Sequence, residues 1–329
     1  MINIIKDIFN FNNWIIVFKK PRYAKEKLII RFLSYPSKRI ANIKSRILRN
    51  LIVDFWTYLA KKNKNFNTFF FKNNKSFNNV TYSDDYKNNY KNISEKTIDS
   101  LKINGVAILE NILSKDEHLK IKQNFKNLNH NTDSDNYNWI EKPKDISKSN
   151  QVKLLWALDN INNYNTIKKV NSDLTKLIFG KECYANLEYF VHKPKELPEN
   201  IIKGDNHLHM DRFLPNMKLY YSPFEIKKND APFSYVKGSH IITQDYINYW
   251  KNSTNWDEYD DLKIGNEYLK SKIKNLDYSI PLKENCLIAA FTNGLHGRSP
   301  FLTMSERNVV FITYNSFNKL SLMNPKNFN

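Results

Sequence analysis

Cysteine is almost absent: Cys183 and Cys286 stand far apart and in no C-x-x-C pattern. A disulfide-stapled scaffold and a cysteine zinc knuckle are thereby excluded, and a reducing, cytoplasmic setting is expected. Long apolar runs are missing as well. The patch at residues 15–18 is too short to span a bilayer and no small-residue cleavage site follows it, so neither a membrane span nor a secretory signal is expected. Acidic residues are outnumbered, 33 Asp and Glu against 51 Lys and Arg, for a formal charge of +18. That excess is almost all lysine, and it comes with abundant Asn, Ile and Phe, as a coding bias toward AT-rich codons produces. A solvated lysine surface is therefore expected, with no nucleic-acid partner. Arginine is the scarce cation. Beyond Leu51 only Arg212, Arg298 and Arg307 occur, all three close in sequence to the histidines singled out below, where a planar bidentate fork does what lysine cannot.

What is present is enough for a large core: 329 residues, 41% hydrophobic and 14% aromatic, room for one catalytic domain with an extension. Near the N-terminus Ile40, Ile43, Ile47, Leu51 and Phe55 recur at three- and four-residue steps, with Lys44, Arg46 and Arg49 between them. This pattern is a basic amphipathic helix. It is expected to pack on the catalytic domain or a partner subunit, with weak contact to an anionic membrane surface as the other reading. Residues 61–93 lack periodicity and read as linker. The division expected is 1–93, a basic helical extension and linker, and 94–329, the catalytic domain.

Ser94, Thr97 and Ser100 open a helix into Leu101 and Ile103, which Gly105 ends before a short buried strand at 106–109. Ser114 and Glu117 form a capping box for a helix over 118–125. From Cys183 onward strands dominate: 189–191, 218–222, 233–236, 286–291 and 309–314, with the turn Lys237-Gly238-Ser239-His240 closing the third. Short strands separated by turns predict a β-sandwich or jelly roll. Residues 245–275, with Trp250 and Trp256, read as a helical insertion forming part of a lid.

The segment Asn206-His207-Leu208-His209-Met210-Asp211-Arg212 carries the chemistry. On an extended strand His207, His209 and Asp211 share one face, and a histidine and carboxylate two residues apart can chelate one metal ion. His296, with glycines at 294 and 297 that let the backbone bend toward a metal, can supply a third ligand. Two imidazoles and one carboxylate leave three open positions, which suits iron(II) oxygen chemistry and not closed structural zinc. Taken alone, an H-x-D among seven histidines is weak, and His209 reads equally as an ordinary histidine. The second half raises the odds: Arg307 lies eleven residues after His296, at the mouth of the strand 309–314, where it can pair bidentately with a dicarboxylate cosubstrate. His207 remains an alternative ligand. A cupin would use a His-x-His pair with a nearby glutamate, and the nearest, Glu225, lies 16 residues beyond His209.

The stretch from Gly105 to Tyr314 resembles the phytanoyl-CoA dioxygenase family of iron(II)/2-oxoglutarate oxygenases. The likeness rests on Gly105-Val106-Ala107-Ile108-Leu109 with Leu113 to Glu117, and on the strand end Phe190-Val191-His192-Lys193-Pro194 ahead of the H-x-D. It continues in Ala231-Pro232-Phe233-Ser234-Tyr235-Val236-Lys237-Gly238-Ser239-His240 and in the spacing of His296 and Arg307. The resemblance implies an α+β protein with a double-stranded β-helix (jelly-roll) core, flanking helices and an N-terminal helical extension. It implies Fe(2+) held by His209, Asp211 and His296, and 2-oxoglutarate held by Arg307 with Lys218 and Tyr220. Dioxygen and a small-molecule substrate are the remaining partners, and hydroxylation is the expected outcome. Asp211 stands where halogenating relatives carry a small residue. Departures are Asp230-Ala231 in place of Asn-Gly and Lys237 in place of proline. His240 is expected to be structural. Arg298 and Arg212, flanking the ligands, are candidate anion contacts for substrate. The rival readings are a cupin-type metal protein using His207 and His209, and a catalytically silent binding protein on the same barrel.

Overall fold

A computed structural model describes residues 46–62, 93–129, 139–141, 151–157, 164–179, 186–194, 197, 208–209, 217–241, 243–244, 247–248, 251 and 278–313. In chain order these form α1 (Arg46–Lys62), α2 (Glu95–Asn104), β1 (Val106–Leu109), α3 (Lys115–Asn129), β2 (Trp139–Glu141), β3 (Gln151–Ala157) and α4 (Asn165–Phe179). There follow β4 (Asn186–Pro194), β5 (Met217–Ser222), β6 (Phe233–Tyr235), β7 (Ser279–Ile280), β8 (Cys286–Phe291), β9 (His296–Arg298) and β10 (Arg307–Thr313).

The helix boundaries follow their caps. Ser94 accepts the Thr97 amide through its side chain, and Gly105 ends α2 with φ 76°, where a side chain would be strained. At α3 the Glu117 carboxylate accepts the Ser114 amide at 3.0 Å while Ser114 Oγ accepts the Glu117 amide at 3.3 Å, a closed capping box. Helix α3 continues past the expected 118–125. Helix α4, absent from the sequence expectations, buries Ile167, Val170, Leu174 and Ile178 at helical spacing.

The strands form two sheets. Seven antiparallel strands run in the order β1-β8-β5-β10-β4-β3-β2, and three in the order β7-β6-β9. Alternation sends Tyr220, Ile288, Ala290 and Val309 from the large sheet to one side, where they meet Phe233, Tyr235 and Leu282 in a single buried cluster. The ring centroids of Tyr220 and Phe233 lie 4.7 Å apart across this junction. On the other side of the large sheet, Leu219, Tyr221, Leu287 and Val310 are fully buried, and α3 reaches this face through His118. There His118 Nδ1 and the Tyr221 hydroxyl lie 2.7 Å apart, and Thr166 donates to Glu117 at 2.6 Å. Burying each large aliphatic side chain in such layers stabilises the fold by roughly 1.5–3 kcal/mol.

Helix α1 does not turn its apolar stripe toward the rest of the chain. Its apolar stripe is the solvent side, with Ile47 77% and Leu51 61% exposed, whereas Val53 and Thr57 are buried. An ion pair of 2.6 Å from Lys251 to Asp54 ties it to the rest of the chain. The helix packs, then, but by its other face. Ile40 and Ile43 lie outside the described residues, as do Cys183 and, apart from a few residues up to Lys251, the 245–275 insertion. Among the described residues no helix is long and apolar enough to cross a membrane.

Ala231 adopts φ 52°, the left-handed region, at a cost of about 1–2 kcal/mol. A glycine at this turn, as in the family it resembles, would avoid that cost.

Candidate metal centre

His209 and His296 are brought together by backbone pairing. The His209 amide donates to the His296 carbonyl at 2.8 Å and the His296 amide returns the bond at 2.9 Å. This antiparallel bridge extends the small sheet beyond β9. Directly opposed residues in such a pair project to the same side, and the two imidazole centroids lie 4.6 Å apart at 46°. His296 is buried and His209 half-buried.

The tautomer of His296 is set by its neighbour. Its Nδ1 lies 3.0 Å from the Gly294 carbonyl. A carbonyl only accepts, so Nδ1 carries the proton and Nε2 is the ring nitrogen with the chemistry to ligate a metal. This is the usual second contact of a metal-ligating histidine. The loop carrying Gly294 is itself pinned: its amide donates to Phe291 at 2.9 Å, Leu295 donates to Ser239 Oγ at 2.7 Å, and Asn293 Nδ2 donates to the His240 carbonyl at 3.0 Å. A Cβ at 294 would overlap the Tyr235 hydroxyl. The two imidazoles fit a metal; Asp211 lies outside the described residues with His207 and Arg212, and among the described residues no group of three potential ligands gathers.

Arg307 lies on the facing sheet. It is the first residue of β10, and it shares a face with Val309 and Phe311, which belong to or pack on the inter-sheet cluster. Arg307 is 3% exposed, and its Nη1 lies 3.2 Å from Nδ1 of His192, its cross-strand partner on β4. A guanidinium fork has the donor geometry to pair bidentately with a carboxylate.

No family model matches this sequence, and no curated protein does. Among solved structures, the chain is similar to AviO1 from Streptomyces viridochromogenes Tue57, at 14% identity and TM-score 0.42, over 67% of this chain and 95% of that one. It is similar to EctD from S. alaskensis with bound Fe, at 16% identity and TM-score 0.44, over 73% and 81%. The epimerase SnoN in complex with Fe3+, alpha ketoglutarate and nogalamycin RO is similar at 13% identity and TM-score 0.41, over 66% and 81%. At such scores the likeness says nothing about chemistry, which rests on the residues themselves.

The other expected site residues are distributed as follows. Tyr220 is buried between Phe233 and the Phe311 ring edge, 5.0 Å away, and Phe233 in turn lies 6.0 Å from the His296 ring. Lys218 is half-buried on β5, two residues earlier. Arg298 is buried two residues beyond His296 on β9, with its guanidinium 5.5 Å from the Phe301 ring. A cleft of about 1010 Å³ between α2, β1 and β7 contains none of these residues and neither histidine. The residue missed by sequence reasoning is His192. It stood in a quoted motif, but only strand register reveals that it meets Arg307.

His240 is buried, its Nε2 3.1 Å from the Lys102 carbonyl and its ring stacked on Phe291. Burial pushes its pKa down to about 4 from the ordinary 6.5. The unfolded chain therefore binds the extra proton first. Stability is full above pH 6.5 and falls as pH drops toward 4, by roughly 3 kcal/mol from this residue alone. His118, also lowered by burial, acts in the same direction. Urea midpoints of the metal-free chain at pH 7 and pH 4.5 check this, and His240→Gln should flatten the difference. An equal acid loss in the variant would refute the assignment.

Proposed function

We propose that this chain is an iron(II)- and 2-oxoglutarate-dependent oxygenase of the phytanoyl-CoA dioxygenase type. It hydroxylates an unactivated carbon of a small organic substrate. The observation that carries the reading is the His209–His296 pair, with the His296 ring oriented by its Nδ1 contact to the Gly294 carbonyl, facing a sheet that presents buried Arg307. The order β4-β10-β5-β8 against His209-β9-β6-β7 supports a double-stranded β-helix. Its catalytic domain is taken as residues 94–329, with 1–93 as the extension.

In this reading His209, Asp211 and His296 hold Fe(2+), and Arg307 takes the distal carboxylate of 2-oxoglutarate, with Lys218 and Tyr220 nearby. When bound, iron supplies the coupled chemistry in which 2-oxoglutarate, dioxygen and a substrate C–H bond become succinate, carbon dioxide and a C–OH group. The chain's own work is orientation and exclusion. Tyr220, Phe233 and Val309 keep the space between the sheets apolar. Arg298 and Arg212 are the candidate substrate contacts.

The test is a succinate-release screen over a metabolite panel, together with the metal-to-cosubstrate charge-transfer band under argon. Asp211→Ala should abolish both. A wild-type chain showing neither band nor succinate with any substrate would instead be the silent binding protein. Weak contact of the N-terminal helices with a membrane or subunit is a separate proposal; co-sedimentation with anionic vesicles, unchanged on deleting residues 1–60, would remove the membrane version.

A further inference from the structure

His192 and Arg307 face each other across β4 and β10, 2% and 3% exposed, with Nδ1 and Nη1 3.2 Å apart. A guanidinium has donors only and does not lose its proton, so His192 Nδ1 must accept. The imidazole is therefore neutral with its hydrogen on Nε2. One N–H of Arg307 is committed to a ring that is itself carried by a paired strand. The guanidinium cannot then swing about its side-chain torsions without breaking that bond.

We propose that His192 is a positioning residue that fixes the plane of the Arg307 guanidinium and so sets the length of dicarboxylate the site accepts. This rests on the reading of Arg307 as the cosubstrate anchor. The imidazole pair belongs to the small sheet and Arg307 to the large one, so the span between metal and anchor is set by how the sheets pack. A pinned guanidinium meets a carboxylate at one distance from the metal. A released one reaches diacids a methylene longer and grips the shorter one less well.

The experiment measures binding, not turnover: anaerobic calorimetry of the iron-loaded full chain with 2-oxoglutarate and with 2-oxoadipate. His192→Leu should weaken 2-oxoglutarate roughly 10- to 100-fold, the loss of one charged hydrogen bond, while 2-oxoadipate changes far less, so the preference collapses. His192→Asn returns an acceptor near the place of Nδ1 and should stay within about threefold of wild type. His192→Gln, whose amide reaches the place of Nε2 instead, should behave as the leucine variant does. A merely structural role would lower the thermal midpoint and leave the preference intact. Unchanged preference in His192→Leu overturns the inference while leaving the cosubstrate reading standing. Should that variant not fold, equal binding by the Asn and Gln variants overturns it. A wild-type chain that binds neither diacid brings down the anchor reading and this inference together.

Discussion

Replacing Arg307 by leucine is expected to raise the KM for 2-oxoglutarate by roughly 30- to 1000-fold, equivalent to about 2–4 kcal/mol. The guanidinium is buried at the start of β10, where water competes poorly for a bound carboxylate. Arg307→Lys keeps the charge and loses the fork, so its KM should rise by about tenfold, between the other two. Steady-state succinate release as a function of cosubstrate concentration measures this, with thermal melts to show that the variants fold. A leucine variant with wild-type KM would mean that Arg307 holds no cosubstrate.

Gly294→Ala should be nearly as damaging without touching any ligand. Its new methyl would overlap the Tyr235 hydroxyl and come within 3.0 Å of the His240 backbone nitrogen. Tyr235 cannot retreat easily, being 2% exposed and donating to the Phe291 carbonyl at 2.8 Å. Overpacking of this sort destabilises by about 1–3 kcal/mol. It also moves the Gly294 carbonyl that orients His296, and losing such a support lowers metal affinity by roughly 10- to 100-fold. Chemical denaturation and metal titration read the two effects separately. Tyr235→Phe in the same chain removes the nearest obstructing atom and should restore part of both. If Gly294→Ala retained full stability and metal affinity, the loop would not be the support proposed for His296.

The elements that were legible share a property: their signals are local. Continuous apolar residues defined β8 over Cys286–Phe291, and Ser94 with Gly105 bracketed α2 because caps satisfy backbone groups within one turn. The capping box at Ser114 and Glu117 is equally short-range. Where expectation and structure part, the deciding contacts are distant in sequence. The stripe of Ile47, Leu51 and Phe55 follows from periodicity, but periodicity cannot say which side a neighbour covers, and within the chain it is Val53 and Thr57 that are buried. The apolar run predicts a strand from 309, with Arg307 at its mouth; pairing with His192 starts the strand two residues earlier, at Arg307 itself. Strand β3 was not expected at all, and its ladder to β4 supplies its definition.

By itself the sequence determined the chemical types available: histidines and a carboxylate at chelating spacing, scarce arginines near them, and no cysteine pair or catalytic triad. It also determined the helix ends and the strongest strands. Only the tertiary structure decided which of these groups meet. The bridge that sets His209 against His296 spans 87 residues, and the contact between His192 and Arg307 spans 115. Both depend on sheet register, where a slip of one residue turns every side chain to the opposite face and leaves no trace in local composition.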